Sequence, residues 1–201
     1  GGVPCAVIIT CLFYGAISGS APATVAAVGA MTIPVMVNLG YSKEFSTAVV
    51  TVAGGLGCII PPSIPFVLYS TSAGTSVGDM FIAGIVPGLL LGGLLMIYAV
   101  YYSARRGEDR VRIKAVMGEL RGQGFLRLFL DSFWALLTPV IILGSIYGGI
   151  ATPTEAAVIS VYYALFVSVF IYKTIKVSEI PAVFMESLKT IAPILFVLSA
   201  A

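Results

Sequence analysis

Two interruptions of long apolar runs constrain the fold of this chain more than any other feature. The first, at 15–24, is rich in glycine, serine and alanine and separates the apolar runs 3–17 and 23–37. The second, at 54–65, contains three glycines and three prolines and lies within the apolar run 45–69. In hydrocarbon each backbone amide and carbonyl needs a partner, so non-helical backbone occurs only where protein or a cavity surrounds it. Interruptions of this kind therefore indicate a binding site within a membrane.

The composition predicts an all-α integral membrane protein. Hydrophobic residues make up 59% of the chain, charged residues 10%, and the mean hydropathy is +1.05. These values lie outside the range of ordinary water-soluble domains. Several apolar runs approach the roughly 20 residues that a helix needs to cross a bilayer.

The sequence offers no catalytic or metal-binding constellation of titratable side chains. It contains no histidine, and Cys5, Cys11 and Cys58 lack the spacing of metal ligands or of a redox pair. We interpret the cysteines as small core residues. A nucleophilic serine needs an activating base, so we predict that the chain is not an enzyme.

The positive charges predict the orientation. No lysine or arginine lies between residues 44 and 104 or between 128 and 172. By the positive-inside rule, the loops near 43, 105–127 and 173–180 are cytoplasmic. The turns at 71–80 and 148–155 are then outside.

This topology divides the chain into six segments. In order, they are a re-entrant helical hairpin at 1–42 with its tip at 18–22, a discontinuous transmembrane helix at 43–70, a transmembrane helix at 81–104, a cytoplasmic amphipathic connector at 105–130, two transmembrane helices at 131–173 with an outer turn at 148–155, and the start of a further transmembrane helix, truncated, at 181–201. We expect the chain to be a segment of a longer protein.

The hairpin rests on the length of its two arms. The runs 3–17 and 23–37 are shorter than a full span, and both outer ends must be cytoplasmic if Lys43 is. Because a span needs at least about 17 residues, the alternative of two full spans joined by an outer turn stays open.

The hairpin tip combines partly negative backbone carbonyls with partly positive backbone amides. Ser18 and Ser20 lie between the end of one helix, whose last carbonyls carry partial negative charge, and the start of another, whose first amides carry partial positive charge. Ser20 is a candidate N-cap. A plain helix-packing site of small residues is the alternative.

The second interruption is too dense in glycine and proline for a simple kink. Each proline removes a backbone donor, so Pro61 and Pro62 leave helical carbonyls without partners. A proline kink satisfied by neighbouring helices is the alternative.

Two further motifs have structural explanations. Thr152-Pro153-Thr154-Glu155 has the pattern of a helix capping box. The segment 105–127 carries seven basic and three acidic residues among apolar ones, which predicts an amphipathic helix on anionic membrane lipid. We expect no nucleic-acid binding, because topology and lipid already account for these charges.

At these positions the sequence resembles a known family, the large membrane (M) subunit of tripartite ATP-independent periplasmic (TRAP) transporters, the DctM-like proteins. Four ordered motifs carry the resemblance: Gly15–Thr24, Gly54–Pro65, Phe81–Gly88 and Gly148–Ala157. They are spread over most of the chain, which makes the resemblance specific.

The resemblance implies a sodium-driven importer with an elevator-type mechanism in the bacterial inner membrane. It would take an organic acid, such as a C4-dicarboxylate or sialic acid, from a periplasmic binding protein and would work with a small membrane (Q) subunit. A passive channel, or a permease subunit of another transport system, is the alternative.

The resemblance also implies roles for seven residues. Oxygen ligands for one sodium ion would come from Ser18, Gly57, Ile60 and Pro62, and the substrate would lie close to Ser20, Pro61 and Ser63. The family has a second hairpin and a second broken helix, whose motifs are absent here. We therefore expect half of a site, and no transport by this chain alone.

Overall fold

The computed structural model describes residues 1–106 and 125–199, and this part of the chain contains helices and no strand. The helices are α1 (Gly2–Ser18), α2 (Ala21–Asn38), α3 (Lys43–Gly55), α4 (Ile64–Ala73), α5 (Val77–Arg106), α6 (Phe125–Tyr147), α7 (Pro153–Phe166) and α8 (Ile180–Ser199). Short 3₁₀ helices occupy Leu56–Cys58 and Val177–Glu179, and a π-helical turn occupies Val167–Ile171. The all-α prediction is confirmed.

Within the described residues, three helical stretches are long and apolar enough to cross a membrane. They are Ala21–Asn38, Val77–Arg105 and Pro153–Ile171. Large apolar side chains on α5 point out of the protein, with Val86 71% and Ile97 67% exposed. Exposed apolar surface of this kind suits hydrocarbon and not water, which supports a multi-pass membrane protein.

The first two helices are longer than the sequence predicted. α1 has 17 residues and α2 has 18. α2 begins at Ala21 because Pro22, in its first turn, needs no helical donor there. Both helices therefore reach the lower limit of a span, about 17 residues. Helix length no longer separates the hairpin from two full spans.

The chain folds into two compact units. The first, Gly1–Ala157, contains the core, in which α1, α2 and α3 pack on one another and α1 and α3 also pack on α5. Fully buried apolar side chains at the centre of this core include Ile8, Cys11, Met36 and Val50. The second unit begins at Val158 and includes α8, whose preceding 3₁₀ turn is capped by a hydrogen bond from Lys176 N to Glu179 Oε2 at 2.9 Å.

The broken helix runs antiparallel to the continuous helix α5. At one end the rings of Phe45 and Tyr102 stack with centroids 3.7 Å apart. At the other end Phe66, on α4, contacts Gly84. The stacked pair places Lys43 and Arg105 at the same end of the unit, in agreement with the orientation deduced from the charges.

The capping box predicted before α7 is present. Thr152 N and Thr152 Oγ1 both donate to Glu155 Oε2 at 2.8 Å, and Glu155 N donates to Thr152 Oγ1 at 3.3 Å. These bonds satisfy orphan groups at the start of α7. Capping explains this carboxylate without a binding role.

The predicted amphipathic connector lies mostly outside the described residues. Its central part, 107–124, is not described, so this segment stays a prediction. Both of its ends belong to helices, because α5 extends to Arg106 and α6 begins at Phe125.

The close contact between α5 and the interruption predicts a sharp contrast between two glycines of α5. A Cβ atom on Gly84 would lie 2.5 Å from the Ile59 carbonyl oxygen, whereas a Cβ atom on Gly93 would meet nothing within 4 Å. We expect Gly84→Ala to destabilise the full-length protein by about 1–3 kcal/mol through overpacking. Gly93→Ala should be neutral, or stabilising by up to about 1 kcal/mol from helix propensity.

Thermal unfolding of the two purified variants in detergent measures the difference. Equal melting temperatures for Gly84→Ala and Gly93→Ala would contradict the packing of the interruption on α5.

Candidate functional site

The tip of the hairpin consists of two non-helical residues. Gly19 adopts the left-handed conformation (φ 61°) and its N–H donates to the Gly15 carbonyl at 2.7 Å. Glycine takes this conformation without steric cost, so it ends α1. Ser20 is extended (φ −134°) and stands at the N-cap position of α2, although its side chain forms no capping hydrogen bond.

Two prolines, Pro61 and Pro62, cause the second interruption, and Pro65 lies in the first turn of α4, where a proline is tolerated. A proline has no N–H, so the carbonyl four residues earlier loses its helical donor. The carbonyls of Gly57 and Cys58 are affected in this way. The chain accordingly leaves the helix after the 3₁₀ turn and re-enters one at Ile64, with a cis peptide bond between Pro61 and Pro62.

The tip and the interruption are in direct backbone contact at two glycines. A Cβ atom on Gly15 would lie 2.6 Å from the Cα atom of Gly57, and one on Gly57 would lie 2.9 Å from Thr24 Oγ1. Real Cβ atoms do not approach other atoms so closely. Only glycine at both positions allows α1 to touch the interruption.

Two hydrogen bonds join the same segments. Ile64 N, the first amide of α4, donates to the Gly19 carbonyl at 3.2 Å. Ala21 N, the first amide of α2, donates to Cys58 Sγ at 3.3 Å. Each helix start therefore finds a partner on the other segment, which satisfies one orphan amide at each N-terminus.

A network of hydroxyl groups lies inside the tip. Thr24 Oγ1 is 2.9 Å from Ser18 Oγ and donates to the Ser20 carbonyl at 2.8 Å. Ser20 N donates to Ser18 Oγ at 3.3 Å. Thr24 is completely buried, whereas Ser18 and Ser20 are half-buried.

The residues predicted to bind sodium are only partly brought together. Gly57 lies against Gly15 and Thr24, and the Pro62 carbonyl lies near Gly19, 2.9 Å from a Cβ atom built there. Ile60 packs its side chain against Gly88 of α5 instead. Outside the bonds within helices, no backbone hydrogen bond of the described residues reaches the carbonyl oxygens of the three predicted backbone ligands, Gly57, Ile60 and Pro62.

A cavity of about 240 Å³ opens beside the tip. Ser18, Gly19, Pro62 and Ser63 line it together with apolar side chains of α1 and α4. No charged side chain belongs to its described lining. Of the residues predicted to lie near a substrate, Ser63 lines this cavity, whereas Ser20 and Pro61 do not.

Ser63 also has a structural role that the sequence did not reveal. It is 1% exposed, its hydroxyl donates to the Cys58 carbonyl at 2.6 Å, and it accepts from Phe66 N at 3.4 Å. It is therefore the N-cap of α4.

Sequence reasoning missed three residues of the contact. Gly15 and Thr24 are the first and last residues of the first interruption, and the sequence assigned no contact to either. Cys58 was interpreted only as a core residue. The spacing of Ser20 and Thr24, four residues apart at a helix start, is a usable signal for a hydroxyl that returns to a free carbonyl. Nothing in the sequence indicates that Cys58 faces Ala21.

Known proteins are similar to this chain over its whole length. The family model described as the tripartite ATP-independent periplasmic transporter, DctM component, matches residues 1–201. The chain is 46% identical over 204 residues to the isethionate TRAP transporter permease protein DctMQ of Oleidesulfovibrio alaskensis, covering all of this chain and 31% of that protein.

Two other relatives are separate large permease proteins. The C4-dicarboxylate TRAP transporter large permease protein DctM of Pseudomonas aeruginosa is 44% identical over 201 residues, which are all of this chain and 46% of that protein. The ectoine TRAP transporter large permease protein TeaC of Halomonas elongata is 41% identical over 200 residues, covering all of this chain and 45% of that protein. The chain thus spans 31% to 46% of the length of these relatives.

The matched proteins are transporter permeases, which confirms the prediction that the chain is not an enzyme. The predicted family is confirmed as well. The chain belongs to the DctM family, the large permease component of tripartite ATP-independent periplasmic transporters.

Proposed function

We propose that this chain forms half of the ion and substrate site of a sodium-coupled importer of organic acids in the bacterial inner membrane. The observation that carries the proposal is the contact between the hairpin tip and the helix interruption. That contact brings hydroxyl oxygens of the tip close to backbone carbonyl oxygens of the interruption, within an apolar protein. The rest of the longer permease would supply the other half.

A monovalent hard cation suits the oxygens at this contact. The proposed ligands are the Ser18 hydroxyl and the carbonyls of Gly57, Ile60 and Pro62, all of them neutral oxygens. Calcium and magnesium sites normally include carboxylates, and no acidic side chain lines the neighbouring cavity. Unwound backbone carbonyls are typical sodium ligands in secondary transporters. Sodium is cargo here, because it moves with the substrate.

An anionic substrate suits the two helix starts. The N-termini of α2 and α4 meet at the tip, and each carries a partial positive charge that favours a carboxylate. Among the described residues that line the cavity there is no lysine or arginine. The coupling ion would therefore supply positive charge, so that substrate binding depends on sodium. Ser20, Pro61 and Ser63 are the proposed substrate neighbours.

The names of the relatives support a small organic acid as the substrate. Their names specify isethionate, C4-dicarboxylate and ectoine. We propose an organic acid of this size range, with a C4-dicarboxylate as the first candidate and sialic acid as a larger one.

The proposed partners are a small membrane (Q) subunit and a periplasmic binding protein. The name DctMQ of one relative supports the first, because it names both components together. The words tripartite and periplasmic in the description of the matching family model support the second.

A re-entrant hairpin is supported by the level of the tip along α5. The interruption that the tip contacts packs on Gly84 and Gly88 of α5. At a rise of 1.5 Å per residue, these two glycines lie about 10 to 17 Å along the α5 axis from its first residue, Val77. α4 continues beyond the tip for ten residues. The tip therefore stops short of the end that α4 and α5 reach.

An elevator-type movement is consistent with the same contact. Backbone contact at glycines and two hydrogen bonds join the hairpin to the broken helix. We propose that they move as one body and carry the bound ion and substrate together.

The proposal predicts different outcomes for two glycines near the interruption. A Cβ atom on Gly57 would crowd Thr24 and Gly15, whereas one on Gly55 would meet nothing within 4 Å. In the full-length transporter we expect Gly57→Ala to raise the sodium concentration for half-maximal uptake by about tenfold, equivalent to about 1.4 kcal/mol of lost binding. Gly55→Ala should leave it unchanged.

Uptake of a radiolabelled organic acid into proteoliposomes, measured over a range of sodium concentrations, gives both values. Higher sodium should partly rescue Gly57→Ala. Unchanged sodium dependence in Gly57→Ala, at wild-type abundance, would count against this placement of the ion.

Transport measurements on the wild-type protein distinguish sodium-coupled transport from passive permeation. In proteoliposomes containing the full-length transporter, we expect accumulation only with an inward sodium gradient and the loaded binding protein. Replacing sodium with choline should abolish uptake. Equilibration of solute without sodium or binding protein would indicate a passive channel and would refute the proposed function.

A further inference from the structure

Thr24 is a polar residue of the tip to which the proposed function gives no role. It is 0% exposed, and its hydroxyl is 2.9 Å from Ser18 Oγ and 2.8 Å from the Ser20 carbonyl. A Cβ atom on Gly57 would lie 2.9 Å from the same oxygen. The Thr24 hydroxyl thus lies between one proposed sodium ligand and the backbone of another.

The protons of the two hydroxyls can be assigned by counting donors and acceptors. A carbonyl cannot donate, so the bond at 2.8 Å to the Ser20 carbonyl uses the single proton of Thr24. The competing bond from Ser18 Oγ to that carbonyl is longer, at 3.3 Å. The short contact between the two hydroxyls then uses the proton of Ser18, with Thr24 as acceptor.

This assignment has a consequence for cation binding. A hydroxyl that binds a cation must present a lone pair to it, so its proton must point elsewhere. If a hydrogen-bond acceptor already fixes the direction of that proton, the hydroxyl does not have to reorient when the ion binds. Thr24 is the residue placed to do this for Ser18.

We propose that Thr24 is a positioning residue. Its hydroxyl oxygen accepts a hydrogen bond from the Ser18 hydroxyl and thereby turns a Ser18 lone pair toward the coupling cation. The inference rests on the proposed function, in which Ser18 is a sodium ligand. Thr24 itself does not contact the ion. Its effect on sodium binding passes through Ser18.

The first test compares Thr24→Val with Thr24→Ser in the full-length transporter. Valine keeps the shape of threonine and removes the acceptor, whereas serine keeps the hydroxyl. We expect Thr24→Val to raise the sodium concentration for half-maximal uptake by about tenfold, the scale of one lost buried hydrogen bond. Maximal uptake should change little, and Thr24→Ser should stay within about twofold of wild type.

A matched control comes from the same helix. The Thr32 hydroxyl donates to the Val28 carbonyl at 2.7 Å, a bond within α2 that is remote from the tip. Thr32→Val should leave the sodium dependence unchanged. An equal effect of Thr32→Val and Thr24→Val would show that loss of any hydrogen-bonded hydroxyl of α2 is sufficient, and would overturn the proposal.

A double-mutant cycle separates positioning from general stability. If Thr24 acts through Ser18, adding Thr24→Val to Ser18→Ala should produce no further change in sodium dependence. The same tenfold effect in both backgrounds would show independent action and overturn the inference. If Thr24→Val does not reach the membrane, Thr24→Cys replaces it in the cycle, because a thiol is only a weak acceptor.

The outcomes also distinguish this inference from the function on which it rests. A wild-type transporter without sodium dependence would overturn both. A sodium-dependent wild type in which well-expressed Thr24→Val has the wild-type sodium dependence would overturn the role of Thr24 alone.

Discussion

The structure of the first unit depends on one close approach, between the backbones of Gly15 and Gly57. In hydrocarbon, a chain that leaves the helical conformation must find partners for its amides and carbonyls within the protein. Here two non-helical segments provide those partners for each other, through Gly19 with Ile64 and through Ala21 with Cys58. Each interruption is tolerable in an apolar protein because the other lies against it. Side chains larger than glycine would separate them and expose both.

The continuous helix α5 provides the frame for this arrangement. α3, the interruption and α4 together follow α5 in the opposite direction, from the stacked pair of Phe45 and Tyr102 to Phe66 on Gly84. The helical ends at the interruption are therefore held at a fixed depth. Under the proposed function, their oxygens and amides would bind an ion and an anion, and no charged side chain belongs to the described lining of the cavity beside them. In this half of the site, a neutral set of donors and acceptors would take the place of charged residues.

Local chemistry made much of this predictable from the sequence. The prolines at 61, 62 and 65 and the glycines around them act within one turn of helix, so the interruption could be deduced from the chain alone. The same is true of the capping box at Thr152. The ends of α1 and α2 were misjudged, because small residues up to Ser18 continue a helix and Pro22 is compatible with a first turn.

Contacts between distant residues could not be predicted in this way. Gly15 and Gly57 are far apart in sequence, and nothing in either surrounding segment indicates that they meet. The roles of Cys58 and Thr24 follow from that meeting, as does the commitment of the Ser63 hydroxyl to the Cys58 carbonyl. Of the residues for which the family resemblance implies binding roles, Gly57, Pro62 and Ser63 lie at the contact with the tip, whereas the side chain of Ile60 packs on α5.

The central claim is that the tip and the interruption share one cation. The most direct measurement is a cryo-electron microscopy structure of the full-length transporter determined in sodium and again with choline in its place. We predict density bounded by the Ser18 hydroxyl and the carbonyls of Gly57, Ile60 and Pro62 in sodium, and its loss in choline. Uninterrupted helices through 15–24 or 54–65, or sodium-dependent density far from the tip, would contradict the account.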